Sequence, residues 1–580
     1  MSRRLPLLLA LASTPTAAQP AAAQEVVPVV SCDGLTVTAI EIRAEPPGVI
    51  GDEAPGWTRP ILAFALQYSR SDADAVQPFV LLQAGSECTD ERLAESERLL
   101  RSQVYLADAT VRAVPDPAGG VRLLVETTDD VPLIIGGSLR DGRPASLLYG
   151  NSNVLGRGVT VAAEWERGYA YREGFGAHFV HHHAFGGRQV AELHLVRGPL
   201  DEDYGAAIAR PYVTDVQHVA WRVGYQRVED YLDFLRTGQD ALSLNVEREV
   251  YDASMLFRVG GQSRNVLLGF GASHDRSDPA AAGVVVTDSG FVDDPLAPAV
   301  GRYTLARSTR VSGTVGVRWL GFRPVDGLAT PGGVQDVATG VQLLGTAGYE
   351  LGDELATGGG SDWLEVREPF VAADLYAGAG WSRGLTALSL SVEGQRATAG
   401  DWGDVVAAGR LGWYHRASER RTHVVSAEYA GAWKVRRPFR LTLGSWASGV
   451  RGYSGSAATG SRLAVLRLEE RWTAGGLGSV AGFGAALFGD VGKLWAGDVP
   501  FGYTTDLRAS LGAGLLVAVP RRSQSLYRLD LAVPLMRDAD AGSWTVRVSR
   551  ELPYRTIWRE PGVLQRVRAA RPAAGLVERP

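Results

Sequence analysis

Four histidines crowd one short stretch, GAHFVHHHAFGG, and metal binding is the first chemistry they suggest: His178, His181, His182 and His183. On a strand, side chains alternate, so His181 and His183 share one face and His178 and His182 the other. No three converge as a metal site requires, and the expectation is a strand end or wall without metal. Carboxylates are plentiful, yet no Ser or Asp with His falls on one face. Gly-x-Ser-x-Gly, Gly-x-x-x-x-Gly-Lys-Ser/Thr and His-Glu-x-x-His are all missing. The chain therefore reads as neither an enzyme nor a cofactor binder. Two patterns of charge stand out instead. GVRGYSG (Gly449–Gly455) sets one cation, Arg451, between Val450 and Gly452-Tyr453, which alone reads as a solvated turn. RLEERW puts Arg467, Glu469 and Arg471 on one face of a strand, as a polar ladder or as contacts for an inward loop.

The ends and the composition narrow the class. Charge is nearly balanced, 59 Lys and Arg against 64 Asp and Glu, which argues against nucleic acid as a partner. Arg3 and Arg4, the apolar run Leu5–Ala12 and the small residues after it form an export signal, taken as residues 1–23, with Ala18 as an alternative cleavage point. Val29-Val30-Ser31-Cys32 loosely resembles a lipidation box but lies about twenty residues beyond the apolar run. In an exported chain the isolated pair Cys32 and Cys88 is expected to form a disulfide, with two separate thiols as the alternative. After the signal no apolar run is long enough for a membrane helix, and mean hydropathy is −0.03. Two classes survive: an extracytoplasmic soluble protein, or a β-barrel whose strands look polar on average.

The pattern changes near residue 132. Residues 36–132 read as strand, helix, helix, strand, strand: TVTAIEIRA; TRPILAFALQYSRS with Pro60 in its first turn; TDERLAESERLLRSQ; LADATVRAVPD; and GGVRLLVETTD. In the second helix Thr89 or Asp90 can cap, acids fill the first turn and arginines the last. From Leu133 onward strand-length segments with period-2 alternation recur. Leu529, Leu531, Val533 and Leu535 share one face in RLDLAVPL, and Arg528 and Asp530 the other. Trp544, Val546 and Val548 oppose Thr545, Arg547 and Ser549; Val219, Trp221, Val223 and Tyr225 oppose His218, Arg222 and Gln226. The segments are about nine residues long, their polar faces carry too many charges for a dry core, and aromatics sit at the ends. In lipid such a sheet must close, so an all-β transmembrane barrel is expected.

With these elements in order, the chain resembles the outer-membrane assembly and translocation superfamily (BamA-, TamA- and FhaC-like; the bacterial surface antigen family). LLQAGSECTDERLAESERLLRSQVYLADATVRAV and GGVRLLVETTDD are similar to a POTRA domain. GNSNVLGRG (Gly150–Gly158), RPY (Arg210–Tyr212), VRGY (Val450–Tyr453), FGDVG (Phe488–Gly492) and YRLDLAVPL (Tyr527–Leu535) match barrel motifs in sequence order. The resemblance implies 16 antiparallel strands, about 26 residues each with loops over 133–551. It also implies that the VRGY loop folds inward, its Arg451 meeting Asp490 of the F-x-D-x-G strand, with Gly452 turning the loop and Tyr453 against the wall. The domains implied are a signal (1–23), one small α+β POTRA-like domain in the periplasm (36–132), an outer-membrane barrel (133–559) and a basic tail expected to be disordered (560–580). The departures are a single POTRA-like unit and a last strand without the usual terminal aromatic. The implied function is insertion of barrels or translocation of polypeptide without nucleotide. A dedicated secretion pore for one exoprotein and a passive pore are the alternatives. The partners implied are the outer-membrane bilayer, unfolded clients at the POTRA-like unit and periplasmic accessory proteins.

Overall fold

The computed structural model describes residues 30–552, except 52–53, 235, 237–239, 262–263, 295–302, 304, 329, 352, 357–362, 367, 397–399, 445–448, 454–457 and 537–541, together with 576 and 577. The signal and most of the basic tail lie outside the described residues.

The N-terminal unit follows its sequence pattern. Strand β1 (Val37–Glu45) and helices α1 (Arg59–Ala65), α2 (Ala73–Val76) and α3 (Asp90–Arg101) precede β2 (Leu106–Pro115) and β3 (Val121–Asp129). Thr89 caps α3 by accepting from the Arg92 amide, with Asp90 and Glu91 in the first turn and Arg98 and Arg101 in the last. The sheet order is β1-β3-β2, with β1 parallel and β2 antiparallel to β3. Leu93, Leu99 and Leu100 of α3 are buried in its core with Val111, Leu123 and Val125. Cys32 and Cys88 are disulfide-bonded, Cα atoms 5.5 Å apart, and both are fully buried.

Beyond Asp130 the chain is a closed antiparallel barrel. Among the described residues twenty strands run around it, four more than the resemblance implied. The larger number goes with short early strands: six strands fit between Leu133 and Arg210, each only 8 to 13 residues long. Tight turns make this economy available; Asp141 and Gly142, at φ 48° and 79°, form one of them. Later strands lengthen to as many as 22 residues, well past the nine expected. The hairpins Val284–Thr287/Gly290–Asp293 and Asp353–Ala356/Trp363–Val366 extend the sheet without adding to its circuit. Thr545–Glu551 closes on Leu133–Arg140 through the pairs Thr545↔Arg140 to Val548↔Gly137.

Alternation sorts the two faces. Leu529, Leu531 and Val533 point outward, while Arg528 and Asp530 are buried inside. Outward Leu468, Leu487, Leu511, Leu515, Val315 and Phe270 extend an apolar band of the kind that faces hydrocarbon. The N-terminal unit sits at one end of the barrel, here the near end. In the tail, Leu576 and Val577 are placed and buried rather than loose: the Tyr212 amide donates to the Leu576 carbonyl (2.8 Å), beside Ala220, Leu256 and Leu267.

Candidate functional site

The chain between strands Arg421–Trp433 and Arg462–Leu477 turns back into the barrel. Its apolar residues drive this: Phe439, Leu441, Leu443, Val450, Tyr453 and Ala458 are all buried, against Leu232, Phe234, Leu244, Leu463 and Leu494 of the wall. Leu441–Thr442 and Thr459–Gly460 pair as a small sheet that stiffens the loop. Two glycines make the fit. A Cβ on Gly492 would meet Val450 Cγ2 at 2.5 Å, so FGDVG ends in the hollow that Val450 fills. Gly452 has φ +94°, and a Cβ there would stand 3.3 Å from the Pro534 nitrogen.

At the loop tip Arg451 forks onto Asp490. Its Nε donates to Oδ2 (2.8 Å), its Nη2 to Oδ1 (2.7 Å) and its amide to Oδ2 (3.1 Å). Asp490 is fully buried, and the planar guanidinium matches both carboxylate oxygens as a lysine could not. Arg451 also donates to Glu469 (3.1 Å) and lies over the Phe488 ring, 3.5 Å from its centre. Glu469 in turn accepts from Arg528 and Arg471, and Arg528 reaches Asp530. Three arginines thus face three carboxylates, which offsets the cost of burying each charge. Tyr453 Oη donates to the Met536 carbonyl (2.6 Å) and accepts from the Met536 amide (3.3 Å), and also lies 3.1 Å from the Ala509 carbonyl. Of the residues implied for this loop, Arg451 meets Asp490, Gly452 turns the chain and Tyr453 rests against the wall at Ala509 and Met536. The face of RLEERW serves the inward loop: Glu469 takes Arg451, and Arg467 donates to the Gly449 carbonyl (2.7 Å).

Sequence reasoning passed over the other grips of the same loop. Arg437 donates to Asp275 (3.0 Å), which Arg248 also holds, on the strands Leu242–Gly260 and Asn265–Pro279. Arg436 reaches Glu368 and Asp404 (both 2.7 Å) and Gln395 (2.9 Å). The loop therefore braces the lumen from several walls. The signal was the run KVRRPFR (Lys434–Arg440), a cluster of cations in a loop that must cross a lumen studded with acids.

The near end is covered as well. Arg101 of α3 forks onto Asp336 at 2.9 and 2.7 Å, and Arg98 donates to the Val213 carbonyl and lies over Phe322. Asp130 accepts from Arg550 and Ser523 (both 3.0 Å). Burial nevertheless raises its carboxyl above the ordinary 3.8, with Arg550 and the serines opposing. Between the loop and the N-terminal unit lies a cavity of about 510 Å³ lined by Val104, His182, Glu428, Arg451, Arg528 and Arg550 among others. The histidines of the cluster disperse: His178 meets Glu164, His182 packs near Tyr105, and His181 and His183 lie edge to face.

Comparison with solved structures adds three likenesses. BamA from Haemophilus ducreyi lacking POTRA domains 1–3 is 11% identical, with a TM-score of 0.37, covering 89% of this chain and 85% of that one. CdiB from Escherichia coli is 13% identical, with a TM-score of 0.41, covering 89% and 76%. CdiB from Acinetobacter baumannii is 11% identical, with a TM-score of 0.36, covering 89% and 74%. The chain is similar to BamA and CdiB. No family model and no curated protein matches it.

Proposed function

We propose that this chain is an outer-membrane protein of the assembly and translocation superfamily. Its N-terminal unit is a POTRA domain in the periplasm, its near end is periplasmic, and it inserts barrels or moves polypeptide without nucleotide or bond-making chemistry. The observation that carries the reading is the Arg451 fork on Asp490, made by a loop packed inside the lumen. A loop held by buried ion pairs and apolar contacts closes the far end. The POTRA unit covers the periplasmic mouth, and a charged chamber lies between the two covers. This arrangement suits a guarded client path better than a permanently open pore.

A photo-crosslinking residue at Val104, on the chamber wall, tests the reading in growing cells. It should capture newly exported polypeptides, while the same residue at Leu487, on the hydrocarbon-facing surface, should not. Absence of any polypeptide adduct at Val104 during active export would oppose the proposal.

A further inference from the structure

Helix α1 is anomalous in the N-terminal unit. It buries none of its residues, whereas α2 buries Ala75 and Val76 and α3 buries Leu93, Leu99 and Leu100. Ile61 and Phe64, three residues apart, share one face of α1, and Trp57 lies in the turn just before its cap, Thr58. Trp57, Ile61 and Phe64 are 74%, 60% and 87% exposed. Three large exposed apolar side chains within eight residues, none of them in a core, call for a partner.

The position of the helix identifies that partner. Just beyond α1 the chain turns at Gln67, held at φ +53°, and its Nε2 donates to Tyr149 Oη (2.6 Å). Asn151 Nδ2 donates to the Gln67 carbonyl (2.9 Å), so Gln67 is fixed at both its main chain and its side chain. Tyr149 points outward on the barrel, paired in register with outward Ile135 and two residues from outward Leu147. The exposed face is thereby tied to the aromatic edge of the band that faces hydrocarbon. Seven residues cannot span a bilayer, but a short helix bearing Ile and Phe, with a Trp in the turn before it, can lie at its surface.

We propose that the Trp57, Ile61 and Phe64 cluster is an interfacial anchor, seated in the lipid headgroup region of the leaflet on the N-terminal unit's side. It fixes that unit to the membrane beside the first barrel strands. The inference needs only that the barrel crosses a bilayer and is independent of which client the protein serves.

The test uses the full chain in vesicles of phosphatidylethanolamine and phosphatidylglycerol. Because Cys32 and Cys88 are bridged, Ile61→Cys can be labelled alone with an environment-sensitive fluorophore. Ala118→Cys serves as reference, in the β2–β3 turn at the end of β3 remote from the barrel. The label at 61 should emit further to the blue, be quenched by spin-labelled lipid, and be quenched by iodide at least about threefold less than the label at 118. Adding Trp57→Ser and Phe64→Ser should remove that protection while the barrel stays heat-modifiable. Iodide quenching equal at the two positions, with no effect of spin-labelled lipid, would overturn the proposal. So would protection that persists in the serine variant.

Discussion

Asp490→Asn removes one charge from the centre of the loop contact and leaves the shape almost unchanged. Removing one partner of a buried ion pair costs ~3–5 kcal/mol, because the other charge is left uncompensated. Here Arg451 keeps Glu469 and borders the cavity, so ~2–3 kcal/mol is the better figure. At roughly 1.4 kcal/mol per tenfold, the released loop should become about 30 to 150 times more populated. The amides that report this are those of Val450, Arg451 and Tyr453, which bond to the Leu443 carbonyl, Asp490 and the Val450 carbonyl. Hydrogen exchange read by mass spectrometry should show them accelerated by that factor, with the barrel strands unaffected. Arg451→Met should be at least as severe, since it strips both guanidinium hydrogen bonds from a fully buried carboxylate and leaves it only the main-chain amide of residue 451. Joining Arg451→Met to Asp490→Leu should recover ~2 kcal/mol or more, as a coupling energy. The charge swap Arg451→Asp with Asp490→Arg probes the same pair through barrel assembly and heat-modifiability. If exchange at the loop is unchanged in both single variants, the pair does not hold the loop.

Four further outcomes follow from the geometry. Gly492→Val should expel Val450 from its hollow at a cost of ~1–3 kcal/mol, seen as protease cleavage within 434–461 and relieved by adding Val450→Ala. Arg437→Ala should lower the heat-modifiability midpoint less than Asp275→Asn, because Arg248 and Arg310 still neutralise Asp275, whereas the asparagine leaves three arginines together. Cys88→Ser should destabilise the N-terminal unit by ~4 kcal/mol on loop-closure grounds, given a separation of 56 residues, and limited proteolysis should cut that unit while the barrel persists. Hydrogen bonds from the Cys32 amide and then the Ser31 hydroxyl hold Asp90 below its ordinary 3.8. That stabilisation is present above pH 3.8 and lost as pH falls through the lowered value; Asp90→Asn should flatten the acid limb of the unit's melting profile.

Much of the fold could be read from the chain because period-2 alternation is a local signal. RLDLAVPL states its own two faces, and TDERLAESERLLR carries its cap, its dipole charges and its buried leucines in consecutive residues. The strand number was not local. Sixteen came with the resemblance, whereas the short hairpins between Leu133 and Arg210 use less chain per strand. Arg451 and Asp490 could be paired because each sits in a recognisable motif. Arg437 and Asp275 sit 162 residues apart in ordinary-looking segments, and only the inward course of the loop joins them. Phe488, Arg528 and Asp530 were visible as barrel residues, but their meeting at Arg451 depends on inter-strand register. The exposed face of α1 was equally hidden: the sequence marks a helix, and nothing in it says that no core covers Ile61 and Phe64.

The central claim, that this barrel handles polypeptide clients, is tested most directly by depleting the protein and quantifying the outer-membrane and periplasmic proteomes. Insertion predicts that several unrelated barrels fall together in the outer membrane, and dedicated secretion predicts that one exoprotein accumulates in the periplasm. An unchanged proteome, with a steady conductance from the purified protein in planar bilayers, would contradict the account.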